Sequence, residues 1–249
     1  MYNRQRVYYR YIFRLKSPLA LGSGISDNTD SDVLLDSRGV PYIPATSIAG
    51  VIRHSVDEDT ARELFGTIQN GSGEMSKVLT YDAVCTGENA VSVRDSVRLN
   101  NKVAEDTGKF DFEAVETGAE FRGYIELADC GADGDSVINE AFQKINAGLL
   151  RFGHKTTRGY GTVAVEGLQR IGFSDADDWL DFDMFDDECW KNAQAVELTK
   201  PSDLTGITLS LKQRGGISIR RYSTDVSDGE NAAPDYEQLS PVSYTHLRA

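Results

Sequence analysis

Between Val7 and Lys16 the chain alternates residue by residue. Val7, Tyr9, Tyr11, Phe13 and Leu15 fall on one side, and Tyr8, Arg10, Ile12, Arg14 and Lys16 on the other. A period of two belongs to extended backbone, where successive side chains point to opposite faces. The spacing therefore predicts a β-strand with an aromatic side turned to a core. The other side is basic with one aromatic ring. It suits either a sheet surface facing phosphate or a solvated face.

The segments that follow can be read in the same way. Pro18 to Asp32 is rich in Gly, Ser, Asn and Asp and reads as a loop, and Asp36-Ser37-Arg38-Gly39 is a turn signal. Ser47 is placed to cap a helix with Ile48, Val51, Ile52 and Val56 on one face, leaving Arg53 and His54 off it. Ala61 to Phe65 is a helical turn that Gly66 stops. Ser76 to Val84 reads as a strand. Ser92–Asn100 and Phe110–Ala114 read as the limbs of a long hairpin with a polar tip at Asn101–Lys109. Glu120–Leu127 is another strand, with Phe121, Ile125 and Leu127 inward. The clearest helix spans Asp135–Leu150, where Val137, Ile138, Ala141, Phe142, Ile145 and Leu149 make one stripe. A glycine-rich loop from Phe152 to Gly161 then leads into the strand Thr162–Val165. This order is that of an α+β, ferredoxin-like (RRM-like) fold with a hairpin arm inserted in its middle.

Composition excludes several classes of function. The chain holds 26 Lys+Arg against 39 Asp+Glu, a net charge of −13. That argues against indiscriminate coating of nucleic acid and leaves room for a local basic groove. Cys85, Cys130 and Cys189 form no CxxC pair, which rules out a disulfide framework and a cysteine zinc site, and three histidines are too few for a multi-histidine metal centre. The cysteine usage points to a reducing cytoplasm. No apolar run approaches the roughly 20 residues of a membrane helix. Arg14 and Lys16 stop Tyr11-Ile12-Phe13 before a signal core can form, so neither a membrane nor a secreted protein is expected. Between Asp175 and Glu188 eight carboxylates meet no Lys or Arg. Such a run reads as a solvated linker. Its interleaved Trp179, Phe182 and Phe185, with Trp190, suggest docking on a neighbouring surface.

A weak repeat bears on organisation. Leu15-Lys16 with Gly22 and Gly24 is echoed 196 residues later by Leu211-Lys212 with Gly215 and Gly216. Read as a duplication, it starts a second module near Gly206 with a strand through Ile207, Leu209 and Leu211, and too few residues remain to complete it. The expected layout is a module at 1–170, an acidic connector at 171–205, and an incomplete second module at 206–249. Residues 243–249 break the pattern and stand outside the fold argument.

Three stretches carry a family likeness. The first is Pro18-Leu19-Ala20-Leu21-Gly22-Ser23-Gly24, continuing through Asp30-Ser31-Asp32-Val33-Leu34-Leu35-Asp36 to Gly39-Val40-Pro41-Tyr42-Ile43-Pro44-Ala45-Thr46-Ser47-Ile48-Ala49-Gly50-Val51-Ile52-Arg53. The second pairs Val93-Arg94-Asp95-Ser96-Val97-Arg98-Leu99 with Phe112 to Phe121. The third runs from Phe152-Gly153 to Gly159-Tyr160-Gly161-Thr162-Val163. In this order they resemble the RAMP superfamily of CRISPR-associated proteins, especially backbone subunits of type III effector complexes. Ala45 and Ala49 depart from it, since the family often has glycine and a basic residue there. Ala233-Pro234-Asp235-Tyr236 resembles the start of another RAMP module.

The resemblance implies an RNA-binding subunit that holds guide RNA (crRNA) and positions target RNA. Its partners would be those RNAs and other effector subunits or further RAMP modules. The glycine loop would contact guide RNA through His154, Lys155 and Arg158. Lys16, Ser47, Arg53, His54, Arg94 and Arg98 complete the expected RNA contacts. The hairpin resembles a thumb whose Val97, Leu99, Phe110 and Phe112 wedge between bases, or else pack on their own core. Asp30, with Asp32 as the fallback, aligns with the carboxylate that supports cleavage of target RNA. In that role it would hold Mg²⁺ or orient the attacking ribose hydroxyl. A metal-dependent endoribonuclease is thus the alternative function. A non-catalytic scaffold contacting proteins through its acidic surface is a third, of another class.

Overall fold

The computed structural model describes residues 5–24, 27–69, 72–100 and 103–201, and beyond these 207–210, 212, 214, 220–222 and 236–238. Its elements run β1 (Arg6–Leu15), β2 (Tyr42–Ile43), α1 (Ala45–His54), α2 (Glu58–Phe65), β3 (Thr67–Gln69), β4 (Ser72–Glu74), β5 (Val78–Thr80), β6 (Ala83–Cys85), β7 (Val91–Asn100), β8 (Val103–Val115), β9 (Glu120–Ala128), α3 (Gly131–Asn146), β10 (Val163–Phe173), α4 (Ala176–Leu180), β11 (Gln194–Ala195), β12 (Arg220–Tyr222) and β13 (Tyr236–Gln238). β1 lies between β9 and β10 and pairs antiparallel with both. The main sheet reads β11-β10-β1-β9-β6-β2, with β5 also on β9. β7 and β8 form a separate two-stranded arm.

The alternation of β1 produces two faces, as the sequence predicts. Tyr9, Tyr11, Phe13 and Leu15 are buried on the inner face with Ile48 and Ile52 of α1, Phe121 and Ile125 of β9, and Ile138, Phe142 and Ile145 of α3. Tyr11 packs 4.4 Å from Phe13 and 5.1 Å from Phe142, and Phe13 lies 5.1 Å from Phe152, centroid to centroid.

The outer face departs from the expectation of a phosphate-facing or solvated surface. Tyr8 and Tyr124 are buried there beneath Trp179, Phe182, Met184 and Trp190. The Tyr8 and Phe182 rings are 4.8 Å apart, and Trp179 donates its indole N–H to the Tyr8 hydroxyl at 2.6 Å. The acidic stretch is therefore a cover as well as a solvated run. Its aromatic side chains turn down onto the sheet, while most of its carboxylates stay exposed. β11 ties it to the edge by pairing with β10.

Other boundaries also shift. Ser47 lies inside α1 and does not cap it; Pro44 precedes the helix, and Asp82 accepts the first N–H, that of Ala45, at 2.7 Å. Asp57 caps α2 by accepting from Asp59 and Thr60. The strand expected over 76–84 breaks into β5 and β6 at Tyr81-Asp82. α3 ends at Asn146, so Leu149 leaves the stripe and is 52% exposed. β10 runs to Phe173, well past Val165. Of the expected second-module strand, Gly206 and Leu211 lie outside the described residues, and residues 207–210 belong to no strand.

One close approach inside the sheet yields a test. Tyr11 lies directly across from Gly123, and a Cβ there would overlap the Tyr11 phenol. Glycine in a strand ordinarily costs stability, but here the ring occupies the space. Gly123→Ala is expected to lower the unfolding free energy by about 1–3 kcal/mol, the usual range for overpacking, measured by thermal or urea unfolding. A stabilised variant would refute this packing.

Candidate nucleic-acid interface

The loop from Phe152 to Gly161 is held by its own backbone. Phe152 donates to Gly161 O at 3.0 Å, Gly161 to Pro18 O at 2.9 Å, and His154 to Ala20 O at 2.8 Å. Gly161 has φ +75°, and a Cβ at this position would strike the Phe152 carbonyl. That glycine serves a chain-to-chain approach. Gly159, beside Arg158, has open space around it, so backbone access for a ligand lies there.

A groove of about 440 Å³ runs between this loop and α1, with Pro44, Ser47, Val51, His54, Arg151 and His154 among its walls. It adjoins a second hollow of about 470 Å³ that shares Val51, His54 and Arg151 and reaches Thr156 and Thr157. Three of the expected residues, Ser47, His54 and His154, thus meet in one place. Arg151 is a fourth that the sequence reading missed. Its guanidinium donates to the carbonyls of Gly148 at 3.2 Å and Thr156 at 2.7 Å, which holds it over the loop. The sequence signal available was only its position before Phe152-Gly153.

The other expected cations divide. Lys16 and Arg158 are exposed, and no carboxylate pairs with either or with Arg151 among the described residues. Lys16 adjoins the loop through its N–H bond to Thr162 O at 2.8 Å. Arg53 stands 3.9 Å from Glu58 and outside the groove lining. Lys155 turns from solvent to the arm, its Nζ 4.1 Å from the Phe112 ring centre and 4.7 Å from Phe110. Burial, and then the charge of Arg158, lower its pKa. Arg94 pairs with Glu116, donates to the Tyr160 hydroxyl at 3.0 Å and lies over that ring. These two cations fasten the arm to the glycine loop. Arg98 is exposed farther along β7.

The arm's aromatic residues follow the packing alternative. Phe112 is buried with Ala20 and Ala114 against Tyr160, and Phe110 packs beside it. Val97 is 44% exposed. The side chain of Leu99 lies outside the described residues.

The loop carrying the two aspartates is zipped to β8. Asp30 donates its N–H to Asp111 Oδ1 at 2.9 Å, and Asp111 returns its own N–H to Asp30 Oδ2 at 3.0 Å. Asp32 is buried and inward. Its carboxylate accepts the N–H groups of Asp27, Asn28 and Thr29 and the Thr29 hydroxyl at 2.8–3.1 Å. These bonds, that of Asn28 first, hold its pKa down at about 2. The geometry gives Asp32 the work of shaping the loop and leaves Asp30 exposed at its surface. A Cβ on Gly22 would stand 2.8 Å from Ser31 Oγ and 3.8 Å from His154 Nε2, so the aspartate loop borders the groove. Among the described residues no three His, Cys, Asp or Glu converge as a metal cluster.

Charge distinguishes the two sides of the protein. On the outer sheet face Arg6 pairs with Glu126, Arg10 and Arg122 with Asp187, and Arg14 with Glu120 and Glu166. Arg151, which lines the groove, and the exposed Lys16 and Arg158 carry no such partner among the described residues. An anion entering the groove meets Arg151, whose charge no carboxylate neutralises among the described residues.

The RAMP superfamily model matches residues 12–164, more than half of the chain. The chain belongs to the RAMP superfamily. No curated protein matches its sequence. Among solved structures it is similar to a chain of the type III-B Cmr-beta complex, determined by cryo-electron microscopy with cognate target RNA bound. The TM-score is 0.53 at 19% identity, over 68% of this chain and 61% of that one. The RAMP match takes in the end of β1 from Ile12, then α1, the arm, α3 and the glycine loop. It stops before the acidic cover. No helix among the described residues is long and apolar enough to cross a membrane.

The role of Asp32 in this RAMP protein predicts a pH signature. Its folded pKa lies below the ordinary 3.8. Ionisation therefore favours the fold, fully above about pH 4, and this support is lost as pH falls toward 2. Asp32→Asn is expected to be less stable than the parent at pH 7, with the difference shrinking between about pH 4 and 2. Paired urea unfolding curves across that range would check it; a constant difference would refute it.

Proposed function

We propose that this RAMP-superfamily protein is an RNA-binding subunit of a type III CRISPR effector complex. In this reading guide RNA runs along the groove between α1 and the glycine loop, and target RNA is positioned beside it. The observation that carries the proposal is the segregation of charge. Arg151 lines a groove that also holds Ser47, His54 and His154, and among the described residues no carboxylate pairs with it, with Arg158 on the adjoining glycine loop, or with Lys16 next to that loop. Polyanion binding gains most where cations are not already paired. The strand order, antiparallel throughout with α1 and α3 packed on the inner face, supports reading residues 1–170 as a ferredoxin-like module. The cover would then fall within the connector at 171–205, and a second, incomplete module would follow at 206–249. The similarity to a Cmr-beta chain supports guide RNA, target RNA and other effector subunits as partners, and a cytoplasmic site of action.

A second reading rests on the reciprocal Asp30–Asp111 pair at the groove's border. An exposed carboxylate beside a half-buried one suits Mg²⁺, which is commonly held by one or two carboxylates plus substrate phosphate. Asp30 and Asp111 would hold it, and the ion would supply charge stabilisation at the phosphate being cleaved. This makes the protein a metal-dependent endoribonuclease.

Fluorescence anisotropy of a labelled single-stranded RNA with the full chain tests both. Micromolar or tighter binding is expected at low salt, weakening linearly in log–log form. Arg151→Ala and Arg158→Ala should each reduce the salt slope by about 0.7, the single-strand value per phosphate. Asp30→Ala should retain binding, and it should abolish cleavage if the enzyme reading holds. Absence of salt-sensitive binding would overturn the proposal and favour a protein-contacting scaffold.

A further inference from the structure

The outer sheet face has the makings of a nucleic-acid platform, yet the chain occupies it with itself. Tyr8 on β1 and Tyr124 on β9 offer rings, and Arg10 and Arg122 on the same strands offer cations. Aromatic and arginine side chains on an open sheet are what single-stranded RNA stacks on and pairs with. Here the partners come from residues 175–195. Phe182 lies 4.8 Å from Tyr8, and Trp190 lies 6.1 Å from Tyr124. The guanidiniums of Arg6 and Arg10 sit 4.9 Å from the ring centres of Trp179 and Trp190. The Asp187 Oδ1 atom receives Arg10 at 2.5 Å and Arg122 at 3.2 Å. Rings stand where bases would stack, and one carboxylate stands between two arginines where a phosphate would.

We propose that residues 175–195 are an internal stand-in for single-stranded RNA, masking a second RNA-binding face on the outer side of the sheet. Closed, the cover turns exposed carboxylates outward, among them Asp177, Asp178, Asp181 and Asp186, and repels RNA from that side. Open, it frees Tyr8, Tyr124, Arg10 and Arg122. The cover lies outside the segment matched by the RAMP model. The inference does not need the groove to bind RNA, and the test separates the two.

The test uses the full chain and labelled oligouridine at several salt concentrations. Arg151→Ala/Arg158→Ala is compared with the parent, which reads the groove alone. Trp179→Ala/Asp187→Asn is then added to that groove variant, which reads the masked face alone. The opened protein is expected to bind at least about tenfold more tightly than the groove variant, since one exposed aromatic stack suffices for that. Its salt slope should rise by about 1.4 as two arginines are released. If the double change does not fold, Asp187→Arg replaces it, because a third cation beside Arg10 and Arg122 opens the contact by repulsion. Binding no tighter than that of the groove variant overturns the inference, whatever the groove itself does.

Discussion

Everything in this protein is hung on β1, a central strand that must be covered on both faces. It is hydrogen-bonded on both edges, to β9 and β10, so neither edge is open to a partner strand. Its inner rings form a chain of contacts: Tyr11 touches Phe13 and Phe142, and Phe13 touches Phe152. Phe152 is also the first residue of the glycine loop. The aromatic core therefore sets where that loop begins. The loop's bonds to Pro18 and Ala20 then set where the groove runs.

The outer face obeys different energetics. Its ion pairs are numerous but partly wet. Asp187 is 67% exposed, and Arg14 and its partner Glu166 are 42% and 44% exposed. Pairs of that kind contribute about 0–1 kcal/mol each. Full burial of an aromatic side chain is worth about 1.5–3 kcal/mol, and Trp190 is 1% exposed. The cover is held down by its rings, and its carboxylates choose where it sits. This is why its hold on the sheet should answer to Trp179 more than to salt.

What could be read in the sequence was whatever a local period encodes. The inner face of β1, the inward residues of β9, the stripe of α3 and the long hairpin all follow from spacing within one element. What could not be read depended on a distant neighbour. Tyr8 looks like a surface residue until Trp179 and Phe182, more than 170 residues away, close over it. Ser47 looks like a helix cap, but Asp82 performs that work from another strand connection. Lys155 looks like a phosphate ligand, yet its αL backbone and the rings of Phe110 and Phe112 turn it inward. Arg151 gave no motif at all. Its placement depends on carbonyls exposed where α3 ends and the loop folds back. Asp30 and Asp32 are two residues apart in one loop, and only the inward turn of Asp32 tells them apart.

A net charge of −13 is compatible with RNA binding once the charges are located. Screening reduces the influence of exposed charges beyond about 10 Å at 0.1 M salt. A strand in the groove would therefore respond chiefly to Arg151 in its lining and to Arg158 on the adjoining loop, not to the cover on the other side of the sheet. The cover acts earlier, on approach. A molecule with acid on one face and unpaired cations on the other is a dipole, and a polyanion is turned toward the cationic side before contact. The carboxylates that make the protein acidic overall also neutralise the sheet arginines. In this arrangement the acidity sharpens the choice of face instead of opposing binding.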